Sequence, residues 1–148
     1  MFKNNKQIGD WIKDNSSVYN EAKQKNIDTG MGVERTITII NNLEDNYLSD
    51  SFFPIIRKIE EISKKSYRGN EKQMRIIADH IKASVFIIAD GITPSTSEQG
   101  YVLRRLIRRL VRFGKEIGLK NFSSKISEPV FEIYNDYKHL QKNKNFIV

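Results

Sequence analysis

Cysteine is absent from this 148-residue chain, so no disulfide and no thiolate metal site can form. Histidine is nearly absent. The two present, His80 and His139, lie far apart in sequence, which argues against a histidine-based zinc site. No apolar run approaches the roughly 20 residues that a membrane-spanning helix needs. The segment Met1 to Gln7 lacks the apolar stretch of a signal peptide. No Ser-His-Asp set, no carboxylate pair in a defined context and no internal repeat is present. These absences predict a cytoplasmic protein with no membrane partner, no metal of its own and no self-sufficient catalytic set.

What the chain has is positive charge. Lys and Arg number 25 against 18 Asp and Glu, for a net charge of +7. An excess of that size in a short chain points to a polyanionic partner, or to a solvated basic surface. Hydrophobic residues make up 39% of the sequence, ordinary for a globular domain.

Apolar spacing predicts a mainly helical chain. Residues 1 to about 26 are polar and aperiodic, with room for a strand and loop. A helix is expected from Val33, with Val33, Ile37, Ile40 and Leu43 on one side. Ser49, Asp50 or Ser51 can cap the next helix, whose first turn accommodates Pro54 and whose stripe is Phe52, Ile55, Ile56, Ile59 and Ile62. Residues 71–90 form the most apolar helix, with Met74, Ile77, Ala78, Ile81, Val85 and Ile88 as one stripe and further apolar residues around it. Such a helix belongs at the centre of a bundle. Gly91 is its stop and residues 92–100 its loop. A helix follows from about Tyr101 to Ile117, ended by Gly118. Another spans Ser123 to Tyr137, with Pro129 near a start or kink.

Tyr101 to Lys115 carries the strongest local signal. At about 3.6 residues per turn, Arg104, Arg105, Arg108, Arg109, Arg112 and Lys115 share an arc of roughly 140°. Leu103, Leu106, Ile107, Leu110, Val111 and Phe113 take the other side. No acid lies between Glu98 and Glu116. Arginines at i, i+4 repel, so the face costs helix stability unless a partner offsets it. Guanidinium groups suit bidentate contact with phosphate. The competing reading is a solvated face, or one paired with acids elsewhere in the fold.

Asp28-Thr29-Gly30-Met31-Gly32-Val33-Glu34-Arg35 places two glycines before a helix start, where backbone N–H groups can face an anion and Arg35 can bind phosphate. It is neither a dinucleotide fingerprint nor a P-loop, and a tight strand-to-helix turn explains the bare pattern better. Asp79 and His80 project about 100° apart on their helix and are not a catalytic pair.

In order and spacing, these stretches resemble the alanyl-tRNA synthetases. Asp28 to Arg35 resembles motif 3 of the class II synthetases in its alanyl version. Arg75-Ile76-Ile77-Ala78-Asp79-His80-Ile81-Lys82-Ala83, Ala89-Asp90-Gly91-Ile92-Thr93-Pro94-Ser95 and Gly100-Tyr101-Val102-Leu103-Arg104-Arg105-Leu106-Ile107-Arg108-Arg109 resemble the helical region that follows. The resemblance covers roughly residues 26–119. It implies a mainly α fold: a helical bundle with an N-terminal remnant of the class II antiparallel catalytic sheet. Residues 1–46 would close the aminoacylation core, motif 3 being 28–35, and 47–148 would form the helical tRNA-recognition domain.

The resemblance also implies roles. Gly30, Gly32 and Arg35 would contact ATP, accompanied by Mg2+ in the parent enzyme, and Asp28 would bind alanine. Ser95, Thr96, Arg104, Arg105, Arg108, Arg109, Arg112 and Lys115 would lie on the tRNA(Ala) acceptor stem. Thr96 departs from the family, which places Asn there to read a G·U wobble pair; threonine lacks the amide's reach and bidentate geometry. The first two class II motifs fall outside the sequence, so the chain is expected to be inactive alone, to bind no cofactor tightly and to need the missing catalytic half. The alternatives are a non-catalytic RNA-binding module on the same scaffold and a basic module that docks on an acidic protein.

Overall fold

The computed structural model describes residues 30–147, together with three short strands ahead of them. The strands β1 (Lys6–Ile8), β2 (Trp11–Lys13) and β3 (Tyr19–Glu21) form an antiparallel sheet in the order β1-β2-β3. Ile8 lies opposite Trp11, and Ile12 lies opposite Asn20. Helix α1 (Val33–Ile40), a 3-10 turn (Asn46–Leu48), α2 (Phe53–Ser63), α3 (Glu71–Ala89), α4 (Glu98–Glu116), α5 (Ser123–Ile133), α6 (Lys138–Lys142) and α7 (Lys144–Ile147) follow. The described chain is mainly helical.

Helix α3 is the hub. It meets α2, α4, α5 and the terminal turns, and its contact with α4 is the most extensive in the fold. Met74, Ile77, Ala78, Ile81 and Val85 are buried with Ile55, Ile56 and Ile59 of α2 and Ile126, Val130 and Phe131 of α5. From α4, Leu103 and Leu110 are buried, while Leu106, Ile107 and Phe113 are half-buried. Val111, placed by its period on the apolar side, is exposed at the rim.

Both long helices end as their glycines predict. Gly91 and Gly118 take left-handed φ values of 86° and 85°. At each end the next two amides bond back to carbonyls of the last turn: Gly91 to Ile88 and Ile92 to Ile87, then Gly118 to Lys115 and Leu119 to Gly114. Orphan carbonyls are thereby satisfied.

Three local expectations need correction. No side chain caps α2: Phe52 holds the cap position, and the Ser49 hydroxyl donates to the Asn46 carbonyl instead. The buried Phe52 ring, 5.0 Å from that of Tyr47, fixes the entry to the helix. Helix α4 begins at Glu98, ahead of Tyr101. Gly100 is inside it, because the preceding loop lies so close that a Cβ there would stand 2.3 Å from Ser95 Oγ and 2.5 Å from the Thr93 carbonyl. Helix α1 forms where its pattern places it, and its stripe is open: Val33 is 66% and Ile40 75% exposed, and nothing described covers them. Helix α5 stops at Ile133 and contains a buried Pro129. The tail docks through Gln141, which donates to the Phe131 carbonyl at 2.8 Å, and Asn143, which donates to the Ala89 carbonyl at 3.0 Å.

Gly114 tests the packing. Alanine is worth about 1 kcal/mol over glycine in a helix interior, but a Cβ at Gly114 would stand 2.1 Å from Cζ of the buried Phe122. The clash should win. Urea unfolding followed by circular dichroism should show Gly114→Ala less stable by about 1–3 kcal/mol; a rise in midpoint would show a loosely held ring.

Candidate functional site

Helix α4 presents its arginines outward because its apolar side is taken by α3. Arg104, Arg105, Arg108, Arg109 and Arg112 are all exposed. With Tyr101 they line an open concavity of about 570 Å³. Among the described residues only Arg112 has an acidic partner, Glu116 at 3.6 Å and largely in solvent. Arg105 lies 5.7 Å from the Tyr101 ring centre and Arg109 5.8 Å from that of Phe113. Lys115 continues the face and also lines a separate, mostly apolar hollow with Val111, Leu119, Lys120 and Phe122. The described residues thus leave most of the face without acidic partners.

The loop before α4 is folded back on the helix start. The Ser95 amide donates to the Gly100 carbonyl at 3.0 Å, and the Ser95 hydroxyl donates to the Ser97 carbonyl at 2.9 Å. Ser95 therefore shapes the loop, and Thr96 is exposed at its tip. Glu98 takes a left-handed φ of 48°, a conformation that costs a non-glycine residue about 1 kcal/mol or more.

At the other candidate site, Gly30, Gly32 and Arg35 come together at the start of α1. Gly32 holds the cap position with φ −70°. A Cβ at Gly30 would meet open space, and one at Gly32 only the Arg35 stem, 3.8 Å away. The fold of the described residues makes no demand for glycine at either position. Arg35 is exposed and has no acidic partner among the described residues. Asp28 lies outside them. No cluster of three or more His, Cys, Asp or Glu able to hold a metal occurs among the described residues, and no described helix is long and apolar enough to cross a membrane.

Sequence reasoning expected Asp79 and His80 to be satisfied polar positions against the next helix and assigned no structural role to Asp45, Tyr47 or Tyr67. Asp45 Oδ2 accepts from the Tyr67 hydroxyl and from Arg75 Nη2, both at 2.5 Å. Arg75 Nε donates to the Tyr67 oxygen at 2.7 Å, and the Tyr47 hydroxyl donates to Asp79 at 2.5 Å. Burial pushes the Asp45 pKa up, but the bonds from Tyr67, the Tyr47 amide and Arg75 outweigh it and leave it lowered. Burial and the Asp45 carboxylate push Tyr67 up to about 12. Asp79 therefore serves a tyrosine, not its neighbour His80. The i, i+4 spacing of Arg75 and Asp79 was the available signal; their distant partners were not.

Comparison with known proteins gives the family. Residues 5–148 match the family model of the class II (A) tRNA synthetases, and the chain belongs to that family. Within it, the similarity is to alanine–tRNA ligases. Identity is 48% over 142 residues with the enzyme of Borrelia hermsii (strain HS1 / DAH), covering 91% of this chain and 24% of the relative. It is 46% over 142 residues with that of Borreliella afzelii (strain PKo), with the same coverages. It is 44% over 134 residues with that of Oceanobacillus iheyensis, covering 87% of this chain and 15% of the relative. The chain thus spans a quarter or less of the length of these ligases.

His80 offers a test of how α3 meets the arginine face. It is half-buried, and burial first, then the Arg109 charge, lower its pKa from 6.5, against the opposing pull of Asp79. A lowered histidine pKa means the unfolded chain binds the proton more readily. The stability held by neutral His80 is present above 6.5 and is lost as pH falls through the folded value. Urea midpoints should therefore drop between about pH 7.5 and pH 5.5, and the drop should shrink in His80→Gln. An unchanged drop would place the titration elsewhere.

Proposed function

We propose that this stretch supplies the acceptor-stem-binding surface and one wall of the ATP and alanine site of an alanine–tRNA ligase. In this reading residues 1–46, with the three strands as part of the catalytic sheet, close the aminoacylation core, and residues 47–148 form the tRNA-recognition domain. The observation that carries it is the α4 face: five exposed arginines of which four have no acidic partner among the described residues. An A-form stem offers phosphates and 2′-hydroxyls along a shallow minor groove, so charge and shape dominate the contact. Ser95 builds the neighbouring loop and Thr96 is the residue it presents.

The nucleotide reading is supported by the two glycines that the chain's own fold does not require. Small residues there leave room for a triphosphate against the first turn of α1, with Arg35 one turn in. ATP would supply the adenylyl group that the alanine carboxylate takes up at the α-phosphorus, with pyrophosphate as the leaving group. Mg2+ would arrive on its phosphates, since this turn offers no carboxylate cage. The Arg35 guanidinium then stabilises charge as it develops on the triphosphate. Asp28 is assigned to the amino group of alanine. The bare apolar side of α1, exposed at Val33 and Ile40, fits a helix that completes its packing in a larger catalytic core.

An acceptor-stem hairpin titrated at rising salt tests the RNA reading. Affinity should fall steeply with salt, and Arg105→Ala/Arg109→Ala, still folded by circular dichroism, should bind more weakly with a shallower slope. Identical binding by the folded double variant would remove α4 as the RNA site and favour docking on an acidic protein. Hairpins with G·U and G·C at the wobble position should bind alike, because Thr96 cannot make the amide's contacts.

In a complete ligase containing this segment, Arg35→Ala should slow adenylate formation on the order of 10²-fold or more. A change below about threefold in pyrophosphate exchange would take Arg35 out of the site and leave the non-catalytic RNA-binding module as the better reading.

A further inference from the structure

We propose that the ion pair between Glu34 and Lys82 is a positioning joint, which sets the orientation of the Arg35-bearing helix relative to the arginine face of α4. The functional purpose of the joint rests on the reading above; the joint itself does not.

Helix α1 buries no side chain fully, and the 3-10 turn that follows it in sequence is the one described element that meets it extensively. What reaches it from the centre of the bundle is Lys82 of α3. Lys82 Nζ donates to Glu34 Oε1 at 3.0 Å, with the lysine side chain 16% and the glutamate 34% exposed. The ammonium is itself held from two further directions. It lies 4.2 Å from the centre of the Phe52 ring, at the cap of α2, and 5.2 Å from that of Tyr134, at the end of α5. One cation thus gathers α1, α2, α3 and α5. Partial burial shields the pair from salt better than the surface pair Arg68–Glu44, which stands 4.0 Å apart in open solvent.

Both ends are held charged. The backbone amide at Glu34 and then the Lys82 hydrogen bond keep the Glu34 carboxyl below its ordinary range. Burial works against the Lys82 ammonium, but the Tyr134 hydroxyl and Glu34 outweigh it and leave its pKa raised.

Geometry makes the pair directional. Glu34 and Arg35 are consecutive on α1 and project about 100° apart. Fixing Glu34 on α3 therefore fixes the rotation of α1 and the sector into which Arg35 points. Helix α3 is also the surface on which α4 is packed. The guanidinium of Arg35 and the arginines of α4 are thereby referred to the same helix through one contact between residues 48 positions apart.

The absence of cysteine makes the test direct. Spin labels at Ile39→Cys on α1 and Glu132→Cys on α5, both exposed positions, report the separation of the two helices. The parent should give a single narrow distance distribution. Glu34→Gln and Lys82→Met should each widen it about twofold or more as α1 is released. Lys82→Arg should restore the narrow distribution, since a guanidinium keeps both the pair and the ring contacts. Circular dichroism should show the bundle intact in all three. Glu34→Gln is the decisive variant, because α1 contributes nothing to the core and its substitution cannot unfold the bundle. A distribution as narrow as the parent's in Glu34→Gln overturns the joint. Acceptor-stem binding by Glu34→Gln should match the parent. If the parent itself fails to bind the stem, the functional reading falls while the distance measurement still decides the joint.

Discussion

The burial of α3 is the constraint on which the rest of the structure depends. With α2, α5 and the terminal turns packed on part of its surface, α3 leaves one side for α4, and α4 has one side to offer. Burying Leu103 and Leu110 is worth about 1.5–3 kcal/mol each. The i, i+4 arginine pairs Arg104/Arg108, Arg105/Arg109 and Arg108/Arg112 cost about 0.2–0.5 kcal/mol each, less where solvent and salt screen them. The apolar term wins by a wide margin, so a helix that would be poor in isolation is secure in the bundle. Its concentrated charge is a consequence of packing on the opposite side, and among the described residues only Glu116, beside Arg112, offsets it.

The polar side chains on α3 do separate work. Arg75 and Asp79 bind tyrosines from the segments before and after α2, while Lys82 reaches α1. The charges of Arg75 and Lys82 are partly buried and would be costly alone, while Asp79 is exposed. Each is met by hydrogen bonds from elements far away in sequence, as Asp45 is by Tyr67 and Arg75. These contacts fix the loops around the core, which apolar packing by itself leaves undirected. A chain with the same hydrophobic pattern and leucines at 75, 79 and 82 could still collapse into helices, but it would have no such instruction for placing α1 and the 3-10 turn.

How much of this was legible in the sequence depended on the distance over which each residue acts. The arginine face was legible because its cause is local periodicity. Gly91 and Gly118 were legible because a helix end needs only its own last turn. Gly100 was misread as loop because the reason for it, the approach of Thr93 and Ser95, involves tertiary contact across a folded-back segment. Ser49 and Ser51 read as caps, yet the burial of Phe52 determines where α2 begins. The stripe of α1 was legible as a pattern, but its exposure was not, since a sequence shows which side is apolar and not what covers it. The Glu34–Lys82 contact left no local trace. Of the glycine turn ahead of α1, Gly30, Gly32 and Arg35 are placed together, while Asp28 is outside the described residues.

The loop ahead of α4 divides its positions into closed and open ones. Position 100 admits no side chain without disturbing Ser95 and the Thr93 carbonyl, so the support of the loop is frozen. Position 96, at the exposed tip, touches nothing that holds the loop in shape. Residues there can change over evolutionary time without cost to the scaffold. The side chain at the tip is therefore free to vary while the manner of its presentation stays intact, and a threonine there is a choice that this architecture permits.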